Sequence, residues 1–379
     1  MGKAWISSIM TACLLCILLS AGQSSTAAAK ALTYVDLVSR LTDLEHLATL
    51  PAPGEKCQQF SSYDRRSKYD ELSGKYIDWA ANGDGDGHIR KDGDELVFAE
   101  MEGPGVIWRI WSALAKEGHV KIYLDGAEEP AVDLPFIGYF NRENEPFTYP
   151  ALVHMTARGQ NCYVPIPYQK SCRIVATGDW GRYFHFTYTT YPKDTILPTF
   201  TRQLSAAESA ALERANEILT QCGLAASAEQ PDQVKVRRPA ITIAPGATAT
   251  VARLRGRRAI TALETSMDLP DSPEDCNVLR ELVLSIRWDG ESKPSVWVPL
   301  GDFFGTAVGA NKYKSLPLGI TDKGFYSNWY MPFERSALVQ LTTDGDTARE
   351  VSFTITHARL TKPIATLGRF HAKWHRDAF

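Results

Sequence analysis

The feature that most constrains this chain is an internal repeat. The segment VKIYLDGAEEPAVDLPFIGYF (Val120–Phe140) has a counterpart in VLSIRWDGESKPSVWVPLGDFF (Val283–Phe304). Both segments have the same order: a strand, an Asp-Gly turn, a proline, a second strand, another proline and an aromatic pair. Self-similarity of this kind is the signature of duplicated structural units, so it must be settled before any motif is interpreted.

A second match follows the first in the same order along the chain. RGQNCYVPIPYQKSCRIV (Arg158–Val175) corresponds to KGFYSNWYMPFERSALVQL (Lys323–Leu341), with a glycine, aromatic residues, a Pro-aromatic pair and a serine in sequence. Gly159 and Gly324 are 165 positions apart. Two copies of one unit, each about the size of a jelly-roll sandwich, are the economical interpretation.

The segments inside each unit have the composition of strands. VIWRIWSA, HVKIYLDG, CYVPIPY, CRIVAT and YFHFTYTTY are rich in β-branched and aromatic residues and are bounded by turn-forming residues. Helical periodicity is confined to a short stretch within Ala31–Leu50 and to Leu204–Cys222, where Ser205 is the expected N-cap and Gly223 follows the end. The sequence therefore predicts an all-β fold of two tandem jelly-roll-like β-sandwich repeats, with a short leading helix and one inter-repeat helix.

The N-terminus predicts export. A short basic start precedes the apolar run Ile9–Leu19, which is too short to span a bilayer, and a small-residue cleavage site lies near Ala29. We expect a secreted or periplasmic protein that is not held in a membrane. The predicted segments are a signal peptide (1–29), an N-terminal helix and polar loop region (30–95), the first repeat (96–203), a helix and linker (204–233), the second repeat (234–362) and a C-terminal segment (363–379).

Charge and cysteine usage narrow the function classes. A net charge of −3 provides no electrostatic basis for binding nucleic acid or an anionic membrane. Five widely spaced cysteines remain after removal of the signal, without a CxxC pair, so neither a zinc site nor a dense disulfide framework is indicated. The pairing of these cysteines stays open, and no cofactor is predicted.

The most polar stretch is NGDGDGH, with Asn82, Asp84 and Asp86 on a glycine-rich loop. Alternating oxygen ligands resemble a calcium loop, but the twelfth position of the EF-hand pattern is Gly93. An irregular calcium site at Asp84 and Asp86, a sugar-binding loop and a solvated turn remain as alternatives.

Two further stretches offer sugar-binding groups. Tyr63, Asp64 and Arg65 lie together before the first predicted strand, where an arginine and a carboxylate could fix sugar hydroxyls or pair with each other. Strand alternation in VIWRIWSA places Trp108 and Ile110 on one face and Arg109 and Trp111 on the other. The Arg109 and Trp111 pair could stack on a sugar or pack between the repeats.

Candidate catalytic groups are carboxylates in the second repeat. Hydrolysis of a glycosidic bond requires two carboxylates held several ångströms apart. Glu281, Glu291 and Asp302 are the candidates, and their spacing does not select a pair. Asp302 could instead cap a turn. His371 and His375 would face the same way on a helix, but two histidines without a clear third ligand are weak evidence for a metal.

Taken together, SSYDR, NGDGDG, EGPGVIWRIW, LDG, VPIPYQKS, PLGDFFG, GFYSNWYMPF and FHAKWHRD resemble glycoside hydrolase family 172, formerly a domain of unknown function. The resemblance runs from about Phe60 to the last residue. It implies paired jelly rolls assembled as trimers or larger rings. It also implies retaining exo-hydrolysis of α-linked furanosides, such as α-D-fructofuranosides or α-D-arabinofuranosides, and thus furanose-containing glycans as partners.

The family's two catalytic glutamate blocks, Gly-Trp-Trp-Gly-Glu-Gly-Asp and Gly-Thr-Gly-Thr-Glu-Asp-Tyr-Phe, do not occur in this sequence. The nearest partial match is Asp289-Gly290-Glu291, which aligns with an Asp-Gly-Glu that lies between the two blocks in the family. This alignment would place Glu281 at the position of the nucleophile and a glycine, Gly301, at the position of the acid/base residue. We expect the true blocks to lie beyond FHAKWHRD and the chain to be incomplete, or inactive alone. A non-catalytic carbohydrate-binding or oligomeric scaffold protein is the alternative.

Overall fold

The computed structural model describes residues 31–78, 83–223, 232–306 and 309–377. The first half of the chain forms a two-sheet sandwich. One sheet has the order β1-β13-β6-β10-β9, with β11 also pairing with β6, and the other has the order β4-β5-β12-β7-β8, while β2 and β3 form a separate hairpin. The strands are β1 (Lys56–Ser61), β2 (Lys68–Asp70), β3 (Lys75–Ile77), β4 (Arg90–Asp92), β5 (Glu95–Glu102), β6 (Gly105–Ala115), β7 (His119–Leu124), β8 (Val132–Pro135), β9 (Val153–Thr156), β10 (Gly159–Cys162), β11 (Ile166–Tyr168), β12 (Ser171–Ala176) and β13 (Gly181–Thr190).

The second half forms a second sandwich. Its larger sheet has the order β14-β24-β16-β21-β20-β19, with β22 also pairing with β16, and its smaller sheet has the order β15-β23-β17-β18-β25. The strands are β14 (Val234–Ile243), β15 (Thr248–Arg255), β16 (Arg258–Ser266), β17 (Leu282–Trp288), β18 (Val296–Pro299), β19 (Tyr313–Lys314), β20 (Leu318–Thr321), β21 (Gly324–Ser327), β22 (Met331–Phe333), β23 (Ser336–Thr343), β24 (Arg349–Arg359) and β25 (Ala372–Lys373).

The two sandwiches have equivalent strand orders. In the larger sheets, β1-β13-β6-β10-β9 corresponds strand for strand to β14-β24-β16-β21-β20, and β11 on β6 corresponds to β22 on β16. In the smaller sheets, β5-β12-β7-β8 corresponds to β15-β23-β17-β18. The predicted all-β fold of two tandem jelly-roll-like sandwiches is confirmed, and the matched sequence segments occupy equivalent strands.

Within the described ranges, four α-helices accompany the strands: α1 (Tyr34–Ser39), α2 (Ala206–Thr220), α3 (Glu274–Glu281) and α4 (Leu300–Phe303). α2 follows the predicted pattern, since Ser205 and Glu208 form a capping box at its start. The sequence analysis missed α3, which has no side-chain cap and is held by Val278 and Leu279 in the second core. Strands β1 and β4 lie within the stretch predicted as a polar loop region, and both pair with strands of the first sandwich.

Each sandwich has its own hydrophobic core. The first is rich in aromatic rings, among them Phe98, Phe184 and Trp180, whose ring centroids lie 4.0 to 5.9 Å apart. The second contains the fully buried Trp288, which stacks with Phe333. Burial of such large apolar surfaces is the main favourable term in folding either unit.

The repeated Asp-Gly turn anchors a neighbouring loop in both sandwiches. The Asp289 carboxylate accepts hydrogen bonds from the backbone N–H groups of Glu334, Arg335 and Ser336 at 2.6 to 3.2 Å. It also forms an ion pair with Arg369 at 2.9 Å. Although burial alone would raise it, these bonds hold the pKa of Asp289 below its usual value.

Asp125 plays the same part in the first sandwich. It accepts the backbone N–H groups of Gln169, Lys170 and Ser171 at 2.5 to 3.2 Å, and the Thr199 hydroxyl also donates to it. The repeated aspartate is therefore a structural anchor in both units, which explains the partial match at Asp289-Gly290-Glu291 without a catalytic role.

An N-terminal strap, residues 31–50, contacts both sandwiches. Val38 of α1 is fully buried in the first core. Farther along, the Leu50 N–H donates to Thr366 O at 2.9 Å, and the Gly368 N–H donates to Ala48 O at 2.8 Å. The strap thus ties the first sandwich to the segment that follows β24 of the second.

Candidate functional site

An outward-facing line of aromatic and basic side chains crosses the larger sheet of the first sandwich. We call it the aromatic row; it consists of His154, Tyr163, Arg109, Trp111 and His185, all partly exposed. Strand register brings three of its members into one line, because Trp111 lies opposite His185 on β13 and opposite Asn161 on β10, and Asn161 lies opposite His154 on β9. At about 4.8 Å per strand, this line spans roughly 14 Å.

Ring stacking orders the aromatic row. The rings of Trp111 and His185 stack with centroids 4.5 Å apart, and those of His154 and Tyr163 stack at 5.8 Å, both with an interplanar angle of 26°. Arg109 lies between the two pairs, with Cζ 5.8 Å from the Trp111 ring and 6.0 Å from the Tyr163 ring. The result is a continuous row of stacked π-systems bridged by the Arg109 guanidinium.

Hydrogen bonds fix the guanidinium at the centre of the aromatic row. Arg109 Nε donates to Asn161 Oδ1 at 3.0 Å, the Tyr163 hydroxyl donates to the same oxygen at 3.4 Å, and Asn161 Nδ2 donates to Gly159 O at 2.9 Å. Burial, and next the nearby Arg109 charge, lower the pKa of His185. His185 is therefore a neutral ring at neutral pH and leaves Arg109 as the cation of the aromatic row.

The predicted face for Arg109 and Trp111 is correct, but that for Trp108 is wrong. Thr187 lies opposite Arg109 while Tyr188 lies opposite Ile107, so Trp108 is the extra residue of a β-bulge in β6. Its indole N–H donates to the Thr189 hydroxyl at 2.9 Å instead of entering the core beside Ile110. The bulge therefore sets which side chains of β6 reach the outer face.

A glycine makes room for the Trp111 ring. A Cβ at Gly159 would lie 2.3 Å from Trp111 Nε1, closer than non-bonded atoms approach. The indole therefore covers β10 at this position. In this sandwich the repeated glycine, Gly159, therefore leaves the space that the Trp111 ring occupies.

The predicted polar residues at the end of the first sandwich are engaged with one another. Asp64 is buried, and its carboxylate accepts the Arg66 guanidinium at 2.6 Å and the Gly83 N–H at 2.7 Å. Hydrogen bonds from Arg66 hold the pKa of Asp64 well below its usual range. Arg65 donates to His88 O at 2.9 Å and covers the half-exposed Tyr63 ring at 4.6 Å.

The two described aspartates of the glycine-rich loop also form contacts within this polar cluster. Asp84 accepts the Asp64 N–H at 2.6 Å, and Asp86 forms an ion pair with Arg182 at 3.0 Å. Asn82 lies outside the described residues. No group of three or more His, Cys, Asp or Glu in the described ranges could hold a metal ion, and calcium at Asp84 and Asp86 stays a prediction.

The structure places the three candidate catalytic carboxylates beside three different partners. Glu281, the last residue of α3, is 3.6 Å from Arg349, while Asp302 of α4 pairs with Arg280 at 2.8 Å. Glu291, in the turn after β17, accepts the Ser295 hydroxyl at 2.6 Å. No contact that the structure records joins any two of these carboxylates.

Asp302 has the environment that most suits an acid. Its side chain is only 18% exposed, and burial raises its pKa although Arg280 opposes the shift. The Arg280 guanidinium also lies 5.8 Å from the Trp374 ring, which belongs to the C-terminal segment.

The C-terminal segment is extended, so the helical arrangement considered for His371 and His375 is wrong. β25 adds parallel to β18, and Trp288 Nε1 donates to Phe370 O at 2.8 Å. His375 contacts Asp377 at 2.7 Å at an exposed position. Across the described part of the chain, no helix is long and apolar enough to cross a membrane.

The architecture defines a tandem β-sandwich protein with a stacked aromatic face. Residues 53–208 match the GH172 first β-sandwich domain, and residues 233–356 match the GH172 domain-like model. The chain therefore belongs to the GH172 family, a family of carbohydrate-active proteins, as the sequence motifs predicted. No curated protein matches the sequence.

Viral proteins are among the solved structures that match the chain distantly. The structure of Sulfolobus turreted icosahedral virus matches at 7% identity and a TM-score of 0.19, over 70% of this chain but only 55% of that chain. The major capsid protein P2 of bacteriophage PM2 matches at 8% identity and a TM-score of 0.20, over 81% and 99% of the two chains. The STIV MCP matches at 9% identity and a TM-score of 0.23, over 80% and 97%. Likenesses this distant carry no inference about function.

Sequence reasoning missed three members of the aromatic row. His185 could have been found, because alternation in YFHFTYTTY places it opposite Phe184 and Phe186, which enter the core. His154 and Tyr163 could not, since they meet only through the pairing of β9 with β10.

Proposed function

We propose that this chain binds furanose-containing glycans on the aromatic row of its first sandwich. The aromatic row itself is the observation that carries the proposal. Sugar rings present flat C–H faces that stack on aromatic rings, while their hydroxyls pair with fixed polar groups. Trp111 offers the stacking face, and Arg109, held by Asn161, offers the oriented donors.

The aromatic row supports binding more directly than hydrolysis. Its members are rings and a guanidinium, which the Asn161 amide holds, and none is a carboxylate. Hydrolysis by a glycosidase requires a pair of carboxylates across the scissile bond. A binding surface therefore accounts for this face without any further group.

Calorimetric titration with arabino- and fructo-oligosaccharides tests the proposal. Trp111→Ala should weaken binding about tenfold or more, because it removes the central stacking surface. Tyr76→Ala is the control, since Tyr76 is an exposed aromatic residue on the separate β2–β3 hairpin. Equal affinities for the wild type and Trp111→Ala, with both folded, would contradict the proposal.

Hydrolysis of α-linked furanosides is the second candidate, and the environment of Asp302 favours it. A partly buried carboxyl with a raised pKa is suited to donate a proton. Turnover of an aryl α-arabinofuranoside or α-fructofuranoside should then be lost in Asp302→Asn, and Glu281→Gln tests the other candidate in the same assay. Wild-type protein that binds these sugars without turnover would leave binding as the function.

The proposed setting is outside the cytoplasm, in a homo-oligomer. The apolar run Ile9–Leu19 supports export, and the family resemblance supports an assembly based on trimers. The intact mass of the secreted protein and its mass by light scattering test these two points separately.

A further inference from the structure

The outer face of the smaller sheet of the second sandwich carries a second candidate binding surface. One row crosses all five strands: Thr250 of β15 lies opposite Gln340, Gln340 opposite Ser285, Ser285 opposite Trp297, and Trp297 opposite Lys373. Side chains along such a row point to one side of the sheet. We call this surface the Trp297 face.

The Trp297 face is concave and presents an exposed ring. A cavity of about 580 Å³ lies over it, within the size range of small-ligand sites. The Trp297 side chain is 50% exposed, whereas the neighbouring Val296 and Val298 point into the core. A tryptophan left in water at the wall of a cavity has a stacking surface without an intramolecular partner in the described chain.

The charges of the Trp297 face have one sign. Arg287, Lys293 and Lys373 line the cavity, and none of its described lining residues is Asp or Glu. The chain as a whole carries a net charge of −3, so this local excess of cations runs against the overall balance. None of the three forms an ion pair within the described residues. A surface of this kind concentrates anions.

Hydrogen bonds hold the Arg287 guanidinium in place. Its Nη1 donates to Gln340 Oε1 at 2.8 Å and its Nε donates to Ser292 O at 3.5 Å, which leaves the Gln340 amide N–H groups and the Nη2 donors for a ligand. A fixed guanidinium is suited to bidentate recognition of a carboxylate.

On the equivalent face of the first sandwich, the basic side chains form ion pairs with acidic ones. There Arg173 pairs with Asp92 at 3.2 Å and with Glu95 at 3.3 Å, and Lys121 is 3.7 Å from Glu95. Its cations are neutralised by acids of the same sheet. The Trp297 face has basic side chains of its own, without acids among its lining residues to pair with them.

We propose that the Trp297 face binds an acidic saccharide, a glycan whose sugar rings carry carboxylates. Trp297 stacks on the ring of one sugar unit, and Arg287, Lys293 and Lys373 pair with carboxylates of that unit and its neighbours. The chemistry favours a saccharide over a protein partner, because a protein interface would need a wider apolar centre than one tryptophan among serine, threonine and glutamine. This site is distinct from the aromatic row and does not depend on the proposed furanoside binding.

The probe is a trimer of galacturonic acid, compared with the neutral galactose trimer of the same length. We expect the acidic trimer to bind more tightly than the neutral one and to lose affinity as salt is added, since salt screens exposed charges. Trp297→Ala should lower the affinity for the acidic trimer about tenfold or more. Because the Trp297 side chain lies on the surface, the variant should leave the core intact.

Charge variants test whether binding depends on the carboxylates of the ligand or on stacking against Trp297 alone. The double variant Lys293→Gln, Lys373→Gln should remove most of the salt dependence, and the double variant Lys235→Gln, Lys314→Gln, on the opposite sheet, is the charge-matched control. Trp111→Ala should bind the acidic trimer normally, which distinguishes this site from the aromatic row. Equal binding of the two trimers, no binding of the acidic trimer, or full affinity in the double variant would each overturn the proposal.

Discussion

The two sandwiches share a strand order and differ in what their outer faces present. On the larger sheets, the register places Glu264 and Thr354 of the second sandwich where the first has Trp111 and His185. The first sandwich thus carries stacked rings where the second carries a carboxylate and a hydroxyl.

On the smaller sheets the contrast is reversed. The second sandwich has Trp297 opposite Ser285, where the first has Asp133 opposite Lys121. Each sandwich therefore exposes aromatic side chains on one outer face, which belongs to the larger sheet in the first sandwich and to the smaller sheet in the second. The difference teaches that the repeated residues specify the scaffold, while the candidate binding groups belong to one copy each.

The largest effect is expected from the repeated aspartates. Asp289→Ala leaves three backbone N–H groups and the Arg369 guanidinium without their acceptor, which should lower the free energy of unfolding by about 3 kcal/mol. Asp125→Ala should cost less, because a hydroxyl, Thr199, stands in place of the guanidinium. Chemical denaturation monitored by tryptophan fluorescence compares the two; an equal or reversed order would contradict the comparison.

The repeated glycines should respond in different ways. Gly324 has φ of +111° and its Cβ would lie 2.4 Å from Thr265 O, so Gly324→Ala should lower stability by about 1–3 kcal/mol. Gly159→Ala should instead displace the Trp111 ring and weaken furanoside binding with little change in stability. Thermal unfolding and calorimetry on both variants measure the two effects, and a large loss of stability in Gly159→Ala would show that the glycine serves the backbone.

Acid should weaken the second sandwich through His357. His357 Nδ1 accepts from Arg258 Nε at 2.5 Å, and burial, together with that charge, lowers the pKa of His357 to about 4. The unfolded state, with a pKa near 6.5, binds more protons between these values. Stability should therefore fall by about 1–2 kcal/mol as the pH drops from about 6.5 to 4.

The first sandwich has Tyr188 at the equivalent position, and a phenol does not ionise in this range. His357→Gln keeps an acceptor for Arg258 without a titrating group and should lose this part of the pH dependence. Denaturation at a series of pH values compares the two proteins; identical profiles would exclude His357 as the cause.

The smallest effect on stability is expected on the outer face of the smaller sheet of the first sandwich. Arg173→Gln removes surface ion pairs to Asp92 and Glu95, which should change stability by no more than about 1 kcal/mol. Thermal unfolding at low and high salt measures it. A much larger loss would mean that this network is a main support of the sandwich.

The scaffold could be predicted from the sequence, because its requirements are local. Asp-Gly turns, repeated glycines and alternating strands recur at fixed spacing, and each serves a backbone or packing need. Helix α3 could not be predicted, since Pro273 provides no side-chain cap and burial of Val278 and Leu279 holds the helix. Tertiary packing overrides weak local signals of this kind.

The candidate sites were only partly predictable. Arg109 and Trp111 are neighbours on one strand, and strand alternation was enough to bring them together. Tyr163 and His154, like Trp297 and Lys373, meet only through pairing between strands. The bulge at Trp108 also lay beyond sequence reasoning, since its register depends on β13.

The aspartate anchors have a consequence for how such a protein can change. Asp125 and Asp289 are partly buried and hold their loops through backbone N–H groups, whereas the candidate binding side chains lie on the outer faces of the sheets. Substitutions at separated sites contribute almost independently to stability. After duplication, each copy could therefore exchange surface residues without loosening its frame. A protein engineer can use the same separation, grafting a new specificity onto one sandwich while its twin stays unaltered as an internal reference.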